Sequence, residues 1–316
     1  MRTSASRWPH EPVLVDAVVA ALQPASGGRF LDGTVGSGGH AAAILERTSP
    51  DGRLLGLDVD PHALGVAGER LGPFGERAVL VRANFATCDE VAHAHDFLGC
   101  DGVLLDLGLS SLQLADDARG FSFRSEGPLD MRADPDLAVT AADIVQRADE
   151  RELARIFADY GEEPEARRIA AAIARRRVSR PFATAAELGR FVAGVKQHRS
   201  RAIDPATRVF QALRIAVNHE LENLEQGLAA ATRTLRPGGR LAVISFHSLE
   251  DRVVKTFLTR ESRDCICPPH LPTCVCGHRA GLRLVTRRPV HPDAAEVERN
   301  PRARSAVLRV AEKIAS

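Results

Sequence analysis

The sequence predicts an α/β protein with a Rossmann-like, doubly wound, mainly parallel sheet and an inserted helical subdomain. Three observations predict it. Near-continuous apolar runs recur at 29–31, 53–58, 78–81 and 102–106, as strands buried on both faces require. Helical stretches separate them, which is the βαβα rhythm of a parallel sheet. The first strand runs through Asp32 into four glycines, Gly33, Gly36, Gly38 and Gly39, and then into a helix. Glycines there permit positive φ and let a ligand lie against bare backbone, while the helix start offers unbonded N–H groups.

The elements follow in order. Residues 16–22 form a short helix ahead of the glycine loop. A helix begins near Ala41, the strand 53–58 ends on Asp58, and Pro61 opens the next helix in its first turn, where proline is tolerated. The third strand leads to Asn84 and Phe85, and the fourth ends on Asp106. The rhythm then stops for about a hundred residues. Residues 120–132 are loop-like. Leu153, Ile156, Phe157 and Tyr160 share a helix face, 164–178 form a second helix, and Thr184-x-x-Glu187 opens a third. This block, 112–206, is expected as the inserted subdomain, with 1–111 and 207–316 forming the sheet domain. A long helix is expected over 207–235, stopped by Arg236-Pro-Gly-Gly239. Strand 240–245 resumes the sheet, Ser248-x-x-Asp251 caps a further helix, and 282–286 pairs with 306–310 to close it.

The 316 residues are 44% hydrophobic and 26% charged, ordinary for a globule with a real core. Net charge is +1, so total charge selects no partner. Its distribution is informative: 164–214 carry 12 Lys/Arg against 3 Asp/Glu, and 279–309 carry 8 Arg against 3 acids. That asymmetry points to a polyanion-facing surface. No apolar run reaches the length of a membrane span and no signal peptide is read, so a cytoplasmic, reducing compartment is expected.

Gly36-x-Gly38-x-x-Ala41, with Asp58 twenty residues after Gly38, fits a nucleoside-cofactor fingerprint in which the acid holds ribose hydroxyls. The loop alone does not say which cofactor. A nicotinamide dehydrogenase shares these features, but no acid/base pair completes one. A non-catalytic RNA-binding module explains the arginines but not the loop.

Longer strings carry a family. Asp32-Gly-Thr-Val-Gly-Ser-Gly-Gly-His40 resembles the first motif of class I S-adenosylmethionine methyltransferases. With Asp106-Leu-Gly-Leu-Ser-Ser-Leu-Gln113, Gly127-Pro-Leu-Asp-Met-Arg132, Arg214-Ile-Ala-Val-Asn-His-Glu-Leu221, Ser245-Phe-His-Ser-Leu-Glu-Asp-Arg252 and Asn300-Pro-Arg-Ala-Arg-Ser305, the chain resembles the bacterial 16S rRNA (cytosine-N4)-methyltransferases of RsmH (MraW) type from about 10 to 314. The resemblance implies S-adenosyl-L-methionine as cofactor, held by Gly38, Gly39, His40, Asp58, Phe85, Asp106 and Gln113. It implies 16S rRNA within the small ribosomal subunit as partner, with methyl transfer to a cytidine in its decoding region. A homodimer is the other partner expectation, and no membrane is expected.

The exocyclic amine of cytosine is a poor nucleophile, because its lone pair is delocalised into the ring. An acceptor for one N–H helps by polarising it, and alignment with removal of water does the rest. Asp106 is the expected catalytic acceptor, with Ser110 beside it and Asp130 as a second candidate. Substrate contacts are expected from Ser110, Asp130 and Arg132, and an RNA track from Arg167, Arg168, Arg175, Arg176, Arg199 and Arg201. No Gly-x-Ser-x-Gly elbow accompanies His247, so a hydrolase triad is rejected and His247 is expected to anchor the end of the fifth strand. Cys265, Cys267, Cys274 and Cys276 offer four thiolates for zinc. Their Cys-x-Cys spacing is tighter than the common knuckle, so reduced thiols and no metal are expected.

Overall fold

The computed structural model describes residues 12–197, 204–268, 271 and 273–315. Arg199 and Arg201 therefore lie outside the described residues. Two compact units emerge, one of 1–108 with 221–316 and one of 109–220.

In the first unit seven described strands form one sheet: β1 Arg29–Asp32, β2 Arg53–Asp58, β3 Ala78–Arg82, β4 Cys100–Asp106, β5 Leu235–Ser245, β6 Leu282–Leu284 and β7 Val307–Lys313. Their order is β3-β2-β1-β4-β5-β7-β6. The pairs from β3 through β5 are parallel, and β7 is antiparallel to both neighbours. The strands are apolar throughout because both faces are covered. Alternate residues point to opposite sides. Leu31, Leu55, Leu57, Val103 and Leu105 join one core, while Phe30, Leu54, Leu104 and Ile244 join the other. The segment Arg236-Pro-Gly-Gly239, expected only as a helix stop, is also the irregular start of β5, where the register with β4 shifts.

The second unit has its own core. Leu153, Phe157, Ile169, Ile173, Leu188, Val192, Val209, Phe210, Leu213 and Val217 are all buried in it. Helices Glu150–Asp159, Ala166–Ser179 and Ala185–Val195 supply most of these. Helix Thr207–Asn218, expected with the sheet domain, belongs here by its apolar face. The single long helix expected over 207–235 is two, Thr207–Asn218 and Glu220–Thr234, parted at His219 with φ 50°. Asn218 shows why. Its amide donates to Met131 O (2.8 Å) and its side-chain oxygen accepts from Ala133 N–H (2.6 Å). These bonds bind the helix end to a loop almost ninety residues earlier. No helix among the described residues is long and apolar enough to cross a membrane.

Candidate functional site

The strand order lines up the candidate residues of the sheet unit along one edge. Phe85 follows β3, Asp58 ends β2, the glycine loop follows β1, and Asp106 ends β4. The order reverses between β1 and β4, the switch point where open α/β sheets bind ligands.

The loop is braced from both sides. Gly33 N–H donates to Leu104 O (2.9 Å) and Val35 N–H to Leu57 O (2.8 Å). The Asp106 N–H donates to Thr34 Oγ1 (2.7 Å). The glycines divide by purpose. Gly36 and Gly38 need positive φ, 52° and 78°. Gly33 needs close approach, since a Cβ there would stand 2.6 Å from Leu105 Cδ2. Gly38 caps helix Gly39–Arg47, whose start is two residues earlier than the sequence suggests.

Asp58 accepts from Gly36 N–H through Oδ2 and from Asp60 N–H through Oδ1, both at 2.9 Å. A carboxylate has about four acceptor directions, so capacity remains for two ribose hydroxyls. Asp60, the neighbouring acid, instead caps helix Pro61–Leu71 by accepting from His62 N–H. Phe85 sits against Gly227 of helix Glu220–Thr234, where a Cβ would lie 2.3 Å from its ring.

Three carboxyls share the edge, and burial dominates each. It pushes Asp58 up to about 6, against backbone hydrogen bonds, those from Asp60 and Gly36 foremost, that lower it. Burial raises Asp32 to about 7, with nearby His40 opposing. Burial, then repulsion from Glu250, raises Asp106 to about 7. Asp32 Oδ2 and Asp106 Oδ1 are buried without a hydrogen-bond partner. His40 holds Val13 O through Nε2 (2.8 Å) and stands 3.5 Å from Asp106 Oδ2 through Nδ1. Burial lowers its pKa, so a neutral ring is favoured. Orphaned, desolvated carboxyl oxygens beside a glycine cradle fit a cationic nucleoside ligand.

The other candidates lie in the helical unit. Ser110 and Gln113 form a capping box on helix Ser111–Ala115: Ser110 Oγ accepts from Gln113 N–H (3.2 Å) and Gln113 Oε1 from Ser110 N–H (3.1 Å). Asp130 gives both carboxylate oxygens to the Arg132 guanidinium at 2.8 Å. Burial pulls its pKa upward, but these bonds outweigh it and the net shift is down. Arg132 also donates to Pro135 O and Leu137 O. Asp130 is thus tied to Arg132 as a loop clamp.

The expected arginine track needs one correction. Arg176 is stacked on Phe182 and Phe191, 4.0 and 5.1 Å from their ring centroids, and paired with Glu187. It is a structural residue of the insert. Arg168 is exposed, with Nε on Val195 O (3.0 Å). Arg167 and Arg175 are exposed and make no side-chain hydrogen bond or ion pair among the described residues. His247, expected to anchor the end of β5, follows that strand and pairs its side chain with Glu250 (3.1 Å). With Glu250 it caps helix Ser248–Glu261, one residue before the cap read from Ser248. The four clustered cysteines have their sulfurs within 4.8 Å of one another.

Sequence reasoning missed Thr34 and Gly227. Thr34 stands inside the motif string, but only the fold brings its hydroxyl to Asp106. Gly227 carries no local signal inside a helix.

Beyond the switch point, β7 lies antiparallel between β5 and β6, an arrangement found in class I S-adenosylmethionine-dependent methyltransferases. That sheet and this edge define an enzyme of that class. The chain belongs to the MraW methylase family, whose model matches residues 7–314. It is 53% identical to Ribosomal RNA small subunit methyltransferase H of Thermomicrobium roseum, over 97% of this chain and 94% of that one. It is 51% identical to the protein of the same name from Symbiobacterium thermophilum, over 96% of each.

Proposed function

We propose that the protein transfers a methyl group from S-adenosyl-L-methionine to the exocyclic N4 of a cytidine in the decoding region of small-subunit rRNA. The observation that carries the chemistry is Asp106: a half-buried carboxyl at the end of β4, with one oxygen buried and unpartnered and its backbone pinned by Thr34. The relatives' names support the RNA target.

The cofactor supplies an electrophilic methyl on a sulfonium. The chain's part is binding, alignment and exclusion of water. Asp58 takes the ribose hydroxyls, Phe85 offers an aromatic face to the adenine, and the loop through Gly38, Gly39 and His40 holds the methionine end. Asp106 in its ionised form accepts one N–H of the cytosine amine and restores nucleophilicity to nitrogen. The insert is the substrate-recognition subdomain. Exposed Arg167, Arg168 and Arg175 attract phosphates, and the target base is read splayed out of its stack. Gln113 and Ser110 belong to the same proposal as cofactor and base contacts. So does assembly as a homodimer, which sedimentation of the purified chain tests.

The test incubates small ribosomal subunits from a strain lacking the protein with methyl-labelled cofactor, followed by nuclease digestion and mass spectrometry. Label in N4-methylcytidine at one decoding-region position is expected. Label on a ring carbon, or no label on either subunits or free rRNA, removes the proposal.

A further inference from the structure

We infer that Cys265, Cys267, Cys274 and Cys276 form a structural zinc site, a second centre separate from the cofactor edge. The spacing alone argued against metal; the geometry argues for it. All four sulfurs lie within 4.8 Å of one another, with Cys274 to Cys276 at 3.6 Å and Cys276 to Cys265 at 3.9 Å. Tetrahedral zinc with metal–sulfur bonds of about 2.3 Å needs sulfurs about 3.8 Å apart. The cluster is too tight to enclose a multi-iron centre and matches one metal ion.

The surroundings give no other cause for this convergence. None of the described residues from 262 to 281 is buried, so no hydrophobic core draws the sulfurs together. All four cysteines are unbridged. Ordering such a loop costs about 1–2 kcal/mol of backbone entropy per residue, and side chains left exposed, Ile266, Leu271 and Val275 among them, return little of it. A metal cross-link supplies what the packing lacks. Two backbone donors already face the cluster as thiolate ligands require. Ile266 N–H points to Cys276 Sγ and Val275 N–H to Cys267 Sγ, both at 3.4 Å. Such outer bonds orient metal-bound sulfur and spread its negative charge. The base of the loop is tied down independently. Gly281 N–H donates to Glu261 O (2.9 Å) and Ala280 N–H to Asp264 Oδ1 (3.2 Å). Four protein ligands fill the coordination sphere, which makes the site structural and not catalytic.

The full chain, purified anaerobically without chelator from zinc-supplemented cells, is the material for the test. Metal analysis should return one zinc per chain. The Cys265→Ser/Cys276→Ser double variant should lose it, and Cys88→Ala, remote and buried, should keep it. Cobalt(II) added to the reduced, metal-free protein should give the intense thiolate-to-metal and visible bands of a tetrahedral four-sulfur site. Trypsin should cut faster at Arg263 and Arg279 in the double variant, while binding of S-adenosylhomocysteine is retained. Zinc well below one equivalent together with no tetrahedral cobalt spectrum overturns the proposal. So does a mass four hydrogens short, which would mean two disulfides, or zinc that persists in the double variant.

Discussion

Asp58 and Asp60 are two residues apart, both acidic and both at the end of β2, yet their duties differ. Asp58 faces the glycine loop; Asp60 turns to its own helix. Asp58→Ala should weaken cofactor binding about ten- to a hundredfold, the loss of charged hydrogen bonds worth roughly 1.5–3 kcal/mol. Asp60→Ala should leave affinity near wild type and cost about 0.5–2 kcal/mol of stability as a lost cap. Calorimetric titration and denaturant melts separate the two, and the reverse pattern would mean that the ribose acid is misassigned. The carboxyls also set a pH dependence. Asp32 is raised by burial to about 7 when folded, against an ordinary 3.8. Between those values the folded chain holds a proton that the unfolded chain has released. Its contribution to stability is therefore full below about 3.8 and lost as pH rises through about 7. Asp32→Asn should gain stability relative to wild type over that interval and level off above it, as paired melts from pH 4 to 8 would reveal. Asp106 follows the same direction but matters for turnover, since its ionised form is the stronger acceptor for an N–H. A bound cation lowers its pKa, so methyl transfer at saturating cofactor should rise with pH at or below about 7. A rate that rises as pH falls from 8 to 5 would exclude Asp106 as the acceptor.

Elements place these residues through contacts far apart in sequence. Helix Glu220–Thr234 presents Gly227 to Phe85, where an added Cβ would collide with the ring at 2.3 Å. Gly227→Ala should displace Phe85, cost about 1–3 kcal/mol of stability by overpacking, and weaken cofactor affinity more than ribose-only ligands. Adenosine and ribose-analogue titrations check the split. The helix just before it ends at Asn218 because the 131–133 loop captures that side chain. Periodicity alone runs on through His219, since a left-handed residue forced by a distant hydrogen bond leaves no local mark. The capping boxes at Ser110 and Thr140, by contrast, are local chemistry.

Over the whole molecule the charges nearly cancel, so association with RNA depends on where the cations are exposed. The Arg167→Glu/Arg175→Glu variant should weaken rRNA binding and flatten its salt dependence without changing cofactor affinity. Arg176→Glu should instead destabilise the insert, because it places a carboxylate beside Glu187 and removes the stacking on Phe182 and Phe191. Filter binding across a salt series, with thermal melts alongside, distinguishes these outcomes.

By itself the sequence determined the strands, the glycine loop with its two partner acids, and the existence of a helical insert. Each of these is written locally, as apolar runs at strand spacing, glycines at fixed offsets, and helical periodicity. The tertiary structure alone decided which arginines reach solvent and that Asp130 belongs to Arg132. It also decided that Thr34 and Gly227 serve the site, and that four tightly spaced cysteines converge on one point. Those depend on what lies opposite a side chain after folding, and sequence separation does not record that.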